Sequence, residues 1–446
     1  MLVRSVLEGR ELLKRNMNSN SQLQCIACQH EYSLDDQRLN CDCGGLLDVV
    51  HDLSIWSGRV AELKELFRAR RNSDTPADRS GIWRFRELVL PELREDELLT
   101  RCEGNTRHYR FAKTSDWLGG FDVIFKHEGE NPTGSFKDRG MTVAMSWAKR
   151  QKAKYVVCAS TGNTAAAVAS YASLADIPAI ILISEGNTAL GKVAQSLAYG
   201  ALTVKIRGDF DTALKLVLES REQLGLTVLN SVNPFRLEGQ KTIIWEALDF
   251  LNWEVPDWIV VPGGNLGNTS AFGKALMEAK EIGLISKVPR LAVIQAAGAA
   301  PFAQGFAAGW QHEIVTADTI ATAIRIGNPV NWDKAVRSIK FTNGVVTSVT
   351  DQEIMDAKAI VDSDGVGAEP ASCASAAGLK KLLTTGLIKP EERAVAILTG
   401  HLLKDPAATV GYHSGTLDKL ESPLANQPVV IDPTLEALAL ALAKKS

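Results

Sequence analysis

The sequence lacks the marks of several large protein classes. Its 49 Lys and Arg against 52 Asp and Glu leave a net charge of −3, so no basic excess argues for nucleic acid or an anionic membrane. Aromatic residues are only 6% of the chain and do not interleave with a basic face. The most apolar stretch, "AAAVASYASLADIPAIILI", is broken by Asp176 and Pro178 and reads as helix, turn and strand rather than a membrane span. The opening "MLVRSVLEGRELLKR" is charged throughout and has no signal-peptide apolar centre. There is no internal repeat and no low-complexity tract. These absences point to a soluble, cytoplasmic protein, and 446 residues with 45% hydrophobic content allow two or three packed domains.

Cysteine is scarce as well, with seven in all. Cys102, Cys158 and Cys373 are scattered and suit buried structural thiols. The other four cluster as "CIAC" (Cys25, Cys28) and "CDCGG" (Cys41, Cys43). Two such pairs resemble a zinc knuckle, in which four thiolates close a tetrahedron. The single residue between Cys41 and Cys43 is tighter than the usual pair of spacers, and metal-free reduced thiols suit the pattern equally. In either case four sulfur ligands leave no open position for chemistry, so the role is structural.

Residues 1–80 read as an N-terminal extension, with a helix "VAELKELFRARR" whose arginines form a solvated face. From 155 to 230, short apolar runs ("YVVCAS", "PAIILI", "LTVKI", "LTVLN") alternate with helical ones. A second series contains "WIVVP", "RLAVIQA" and "RAVAILTG". This alternation predicts an α/β fold of two parallel-sheet domains with a cleft between them. In such folds ligands bind beyond the carboxyl ends of the strands.

Four loops could carry chemistry. In "NPTGSFKDRG", Lys137 stands at a glycine-tight turn into a helix, where the dipole disfavours a cation. A lysine kept neutral there is a nucleophile, although a solvated surface charge is the blander alternative. "STGNT" (160–164) places hydroxyls and a helix start where an anion could bind, or simply an N-cap. "GGNLGN" (263–268) follows a strand and opens a helix, so its amides can converge on a phosphate. It lacks the Gly-Lys-Ser/Thr of a nucleotide loop and the spacing of the dinucleotide fingerprint. In "LTGHLLKDP", Thr399 ends a strand. A nucleophilic lysine, a phosphate cradle and a strand-end hydroxyl together fit pyridoxal phosphate, which needs an amine, a dianion site and a partner for its ring nitrogen.

The segments "GENPTGSFKDRGM", "ASTGNTAAAVASYA", "NSVNPFRLEGQKT", "VPGGNLGNTSAFGKA" and "LTGHLLKDP" resemble the threonine synthases, fold-type II pyridoxal-phosphate enzymes. The likeness runs from about Gly81 onward, and "GGLLDVVHDL" is similar to plant-type members with an N-terminal extension. It implies the tryptophan synthase β-like architecture: 81–130 with 235–415 as the large cofactor-binding domain, 131–234 as the small one, and 416–446 as a C-terminal tail helix. Lys137 would join the cofactor and move protons. Asn163 would face its 3′-oxygen, Gly264, Asn265, Leu266, Gly267 and Asn268 its phosphate, and Thr399 its ring nitrogen. Ser160 and Thr161 would bind the substrate carboxylate, and Asn230, Ser231 and Arg236 its phosphate. The implied reaction is O-phospho-L-homoserine plus water to L-threonine and phosphate, in a homodimer without nucleic-acid or membrane partners.

The family's "EGNTPL" is "EGNTRH" here, a departure at Arg107 and His108 in a loop (103–106) expected to border the site. Other readings are a cysteate synthase, a threonine or serine ammonia-lyase, and a silent cofactor-binding paralogue. An ammonia-lyase needs no second phosphate site, and Arg236 and Ser231 argue against it. Glu369 could approach the cofactor or serve only at a helix start, and His401 could be functional or packed under a loop. The tail "PTLEALALALAKKS" reads as an amphipathic helix docking on the body or on a second subunit.

Overall fold

The computed structural model describes residues 21–185, 190–208 and 210–443, so the charged opening segment and the last three residues lie outside the described residues. Among the described residues there are three sheets. The six-stranded sheet runs β12 (Val345–Val349), β11 (Arg290–Ala296), β10 (Trp258–Pro262), β13 (Ala394–Leu398), β5 (Val123–His127), β4 (His108–Tyr109). Every pairing in it is parallel except β4 on β5. The four-stranded sheet, entirely parallel, runs β8 (Leu202–Ile206), β7 (Ala179–Ser184), β6 (Val156–Ala159), β9 (Thr227–Val228).

The apolar runs are continuous because both faces of each sheet are covered. In β10, Ile259 and Val261 enter the core shared with the Gly267–Glu281 helix, while Trp258 and Val260 enter the core beneath the Pro370–Thr384 helix. The smaller sheet repeats the arrangement. Val156 and Cys158 pack with Ala165 and Val168 on one side, and Val157 and Ala159 with Ala213 and Val217 on the other. Both sheets are therefore middle layers, and their carboxyl ends carry the loops singled out in the sequence.

Two buried helices join them, Lys137–Arg150 and Pro234–Phe250. They cross at glycines: a Cβ on Gly239 would lie 1.8 Å from the Arg139 carbonyl oxygen, and one on Gly140 would lie 2.7 Å from that of Arg236. This approach brings the start of one helix, with Lys137, beside the start of the other, with Arg236. Charges along the crossing are buried in pairs, Glu246 with Lys126 at 2.8 Å and with Arg139 at 2.6 Å.

The N-terminal region is more than an appendage. β1 (Gln22–Cys25), β2 (Glu31–Ser33) and β3 (Leu47–Val50) form an antiparallel sheet whose Leu23, Leu47 and Val49 belong to the main core. Lys334 Nζ donates to the Leu47 carbonyl at 2.6 Å and pairs with Asp48 at 2.9 Å, and His51 Nε2 lies 2.8 Å from Glu238 Oε2. Two expectations are corrected. The arginine run is not all solvated, because Arg70 is buried against Glu87. The tail helix, Leu435–Ala443, does not dock on the body: none of it is buried, and Leu435 is 86% exposed.

Candidate active site

The loop before Lys137 is built by its own hydrogen bonds. Thr133 donates through N and Oγ1 to Asp138 at 2.7 and 2.6 Å. Ser135 bridges Gly400, so the loop is stitched to the end of β13. Lys137 begins its helix with Nζ 4.1 Å from the Phe136 ring centre. Burial in the cleft, and then the nearby Arg236 guanidinium, lower its ammonium from the usual 10.5 to about 7, with Glu369 opposing. A large share of the amine is therefore neutral at neutral pH.

A cavity of about 720 Å³ opens in front of it, and every residue the sequence reading assigned to cofactor or substrate lines it. The Gly263–Asn268 loop needs its glycines, since a Cβ on Gly263 would meet Val293 Cγ1 at 2.6 Å and one on Gly264 the Ile324 Cα at 3.0 Å. Leu266 takes a left-handed conformation (φ 60°) to turn the chain into the Gly267–Glu281 helix, whose first amides have no carbonyl within the helix to bond. Asn268 Oδ1 and Thr269 Oγ1 are buried there without hydrogen-bond partners among the described residues. The free amides of this helix start are donors that suit a phosphate group.

Asn163 starts another helix, and its Nδ2 donates to both carboxylate oxygens of Glu369 at 3.0 and 3.2 Å. Thr399 Oγ1 lies 2.9 Å from Ser372 Oγ. Arg236 is buried, donates Nη1 to the Leu229 carbonyl at 3.0 Å and keeps Nε unpartnered. Burial lowers its pKa to about 10, which still leaves it a cation. The Asn230 amide exchanges bonds of 3.1 and 3.0 Å with Ala159 N and O, clamping β6 to the chain after β9, and the residue also lines the cavity. Ser231 meets Asn265 Nδ2 at 3.5 Å, so the two candidate anion sites touch. An amine of lowered pKa, a phosphate cradle, a strand-end hydroxyl and an amide donor in one cavity form a donor set that fits pyridoxal phosphate.

Sequence reasoning left Glu369 undecided and missed Gln240 and Lys404, which also line the cavity. Lys404 follows Thr399 by five residues and donates to the Thr133 carbonyl at 3.0 Å; nothing local in the sequence signals that role. His401 accepts from Leu403 N at 3.1 Å, capping a short turn at the cavity edge. The loop 103–106 does not border this cavity. Asn105 and Thr106 line a separate one of about 400 Å³. At the Arg107–His108 departure, Arg107 is exposed and pairs with Glu130 at 3.3 Å, and His108 stacks on Phe250 at 4.1 Å.

Away from the cavity, the sulfurs of Cys25, Cys28, Cys41 and Cys43 lie within 4.8 Å of one another, with close pairs at 3.5 Å. The hydrogen bond from the Tyr32 hydroxyl heads the causes that lower the Cys41 thiol to about 6. Zinc–sulfur bonds of about 2.3 Å span sulfurs roughly 3.8 Å apart, so these four could hold a metal.

Residues 99–400 match the family described as pyridoxal-phosphate dependent enzyme. The threonine synthase of Methanocaldococcus jannaschii is 44% identical over 86% of this chain and 93% of its own. That of Methanosarcina acetivorans is 42% identical over 95% and 99%. The solved threonine synthase of Escherichia coli superposes with a TM-score of 0.68 over 95% of this chain and all of that one, at 20% identity, which speaks for the fold. The chain belongs to the pyridoxal-phosphate dependent enzyme family, as a lyase of fold type II. Within that class its place is among the threonine synthases.

Proposed function

We propose that this chain converts O-phospho-L-homoserine and water to L-threonine and phosphate with pyridoxal 5′-phosphate as cofactor. The observation that carries this reading is the second anion site: buried, cationic Arg236, with Ser231 beside it, on the same cavity as Lys137 and the Gly264–Asn268 loop. Two phosphate sites in one cavity suit a phosphorylated cofactor and a phosphorylated substrate.

When bound, the cofactor supplies an electron sink for the carbons next to the substrate's amino group. Lys137 is the cofactor's anchor, and once free its near-neutral amine can take a proton from the substrate α-carbon and serve at the β- and γ-carbons. Asn163 offers an N–H to the ring oxygen, and Thr399 offers a neutral hydroxyl to the ring nitrogen. Ser160 and Thr161 receive the carboxylate. Asn230, Ser231 and Arg236 hold the departing phosphate, with Asn230 also tied to Ala159. In balance, one β-carbon–hydrogen bond and the γ-carbon–oxygen bond break and phosphate leaves, the γ-carbon gains a proton, and water gives its hydroxide to the β-carbon and its other proton to the phosphate.

We read 81–130 with 235–415 as the large domain and 131–234 as the small one, a division supported by membership of the two parallel sheets. Cys25, Cys28, Cys41 and Cys43 are read as a structural zinc site, supported by their mutual distances. The unpaired state of the seven cysteines supports a reducing, cytoplasmic setting. The exposed leucines of Leu435–Ala443 support assembly as a homodimer.

The test is an assay of purified protein with O-phospho-L-homoserine, following threonine and phosphate together, with Lys137→Ala as control. Equal release of both, abolished in the variant, is expected. Phosphate without threonine would replace this reading with a phospholyase.

A further inference from the structure

Glu369 stands at the turn into the Pro370–Thr384 helix, where a carboxylate ordinarily caps the first amides. It makes no such cap bond. Its side chain, in a residue only 4% exposed, faces the cavity wall and takes the Asn163 amide nitrogen on both oxygens, at 3.0 and 3.2 Å. A Cβ on Gly400 would lie 2.4 Å from Glu369 Oε1, and Glu369 N donates to the Gly400 carbonyl at 3.0 Å, wedging the residue against the strand end that carries Thr399.

An ionised carboxylate only accepts, so the end of Asn163 that meets it is the nitrogen. Burial holds the Glu369 carboxyl above its ordinary pKa, and the Asn163 bond works against that shift, so this donation favours the ionised form. An amide nitrogen has two N–H groups, and one of them can serve both carboxylate oxygens, which leaves the second for a ligand in the cavity that Asn163 lines.

We propose that Glu369 is a positioning residue that fixes the Asn163 amide so that its remaining N–H meets the anionic ring oxygen of the cofactor. The inference rests on the reading of Asn163 as a cofactor contact. In this role Glu369 acts through Asn163, separately from its charge effect on the Lys137 amine.

The test compares Asn163→Ala, Glu369→Leu, Glu369→Gln and the Asn163→Ala/Glu369→Leu double variant. The readouts are the dissociation constant of pyridoxal phosphate and the position of the cofactor's visible absorption band. Asn163→Ala is expected to weaken cofactor binding about tenfold and move the band, as loss of a hydrogen bond to a charged oxygen does. Glu369→Leu should do nearly the same, and the double variant should be no worse than Asn163→Ala. An unchanged Asn163→Ala would sink the cofactor-contact reading itself. A shifted Asn163→Ala with a wild-type Glu369→Leu, or fully additive losses, would overturn the role of Glu369 only. If Glu369→Leu does not fold, Glu369→Gln decides: Gln can accept or donate, releases the flip, and should give an intermediate affinity and band. Wild-type values in a Gln variant with unchanged melting overturn the proposal.

Discussion

Phe136 N donates to the Thr399 carbonyl oxygen at 3.0 Å, so the residue before Lys137 and the residue ending β13 are one bond apart. The side chain of Thr399 is left to the cavity while its backbone fixes the lysine loop. With the Ser135–Gly400 bridge and the His401 N to Gly134 O bond of 2.9 Å, this contact ties together the groups assigned to opposite ends of the cofactor ring.

Capture of pyridoxal phosphate by the cofactor-free protein should accelerate with pH. The Lys137 ammonium sits at about 7, so it is charged and unreactive below that value and neutral above it. The rate at which the bound cofactor's visible absorbance grows should rise through a midpoint near 7. Arg236→Gln removes the second cause of the lowering and should move that midpoint upward. A wild-type midpoint near the usual 10.5 would contradict the enclosed amine.

Arg236→Gln should also separate the two anion sites. Its Michaelis constant for O-phospho-L-homoserine should rise about tenfold or more, as expected for losing a charge-assisted bond. Affinity for pyridoxal phosphate should stay within about twofold, since Gly264–Asn268 is untouched. Equal losses of both would mean that Arg236 serves the cofactor.

Gly239→Ala tests the helix crossing. Its new methyl would lie 1.8 Å from the Arg139 carbonyl oxygen, a backbone atom that cannot rotate away. A loss of at least about 2 kcal/mol in denaturant unfolding is expected, from forced separation of the helices. A variant of wild-type stability would place the helices further apart than described.

Acid should weaken the fold through buried carboxylates. Burial alone would raise Glu246, but Arg139 and Lys126 hold it well below the usual carboxylate range. The stability it contributes is complete above about pH 4 and is lost as pH falls further, because the unfolded chain takes up the proton first. Glu246→Gln should cost about 3 kcal/mol at neutral pH, because Lys126 and Arg139 would then share the single buried carboxylate of Glu128. It should also flatten the decline in unfolding free energy below pH 4, measured by denaturant titration at several pH values.

Much of this was legible in the sequence because it is local. "WIVVP" and "RLAVIQA" are β10 and β11 residue for residue, since a strand buried on both faces must be apolar along its whole length. The site loops were legible for the same reason: each sits between a strand and a helix. β12 (VVTSV) was missed, because its polar positions break the apolar run. Arg70 was misread because its partner Glu87 lies outside its helix. Glu369 was left ambiguous because the residue it holds, Asn163, is 206 positions away.

The N-terminal sheet has a consequence for how the chain is made. Asp48 finds its partners in Lys334 and Arg337, and the Leu47 carbonyl is met by Lys334 across 287 positions. The segment synthesised early thus waits for the arrival of a helix near residue 340 before its charges are answered. During translation β3 can pair with β1, but the Asp48 carboxylate has neither of its cations until that helix is made.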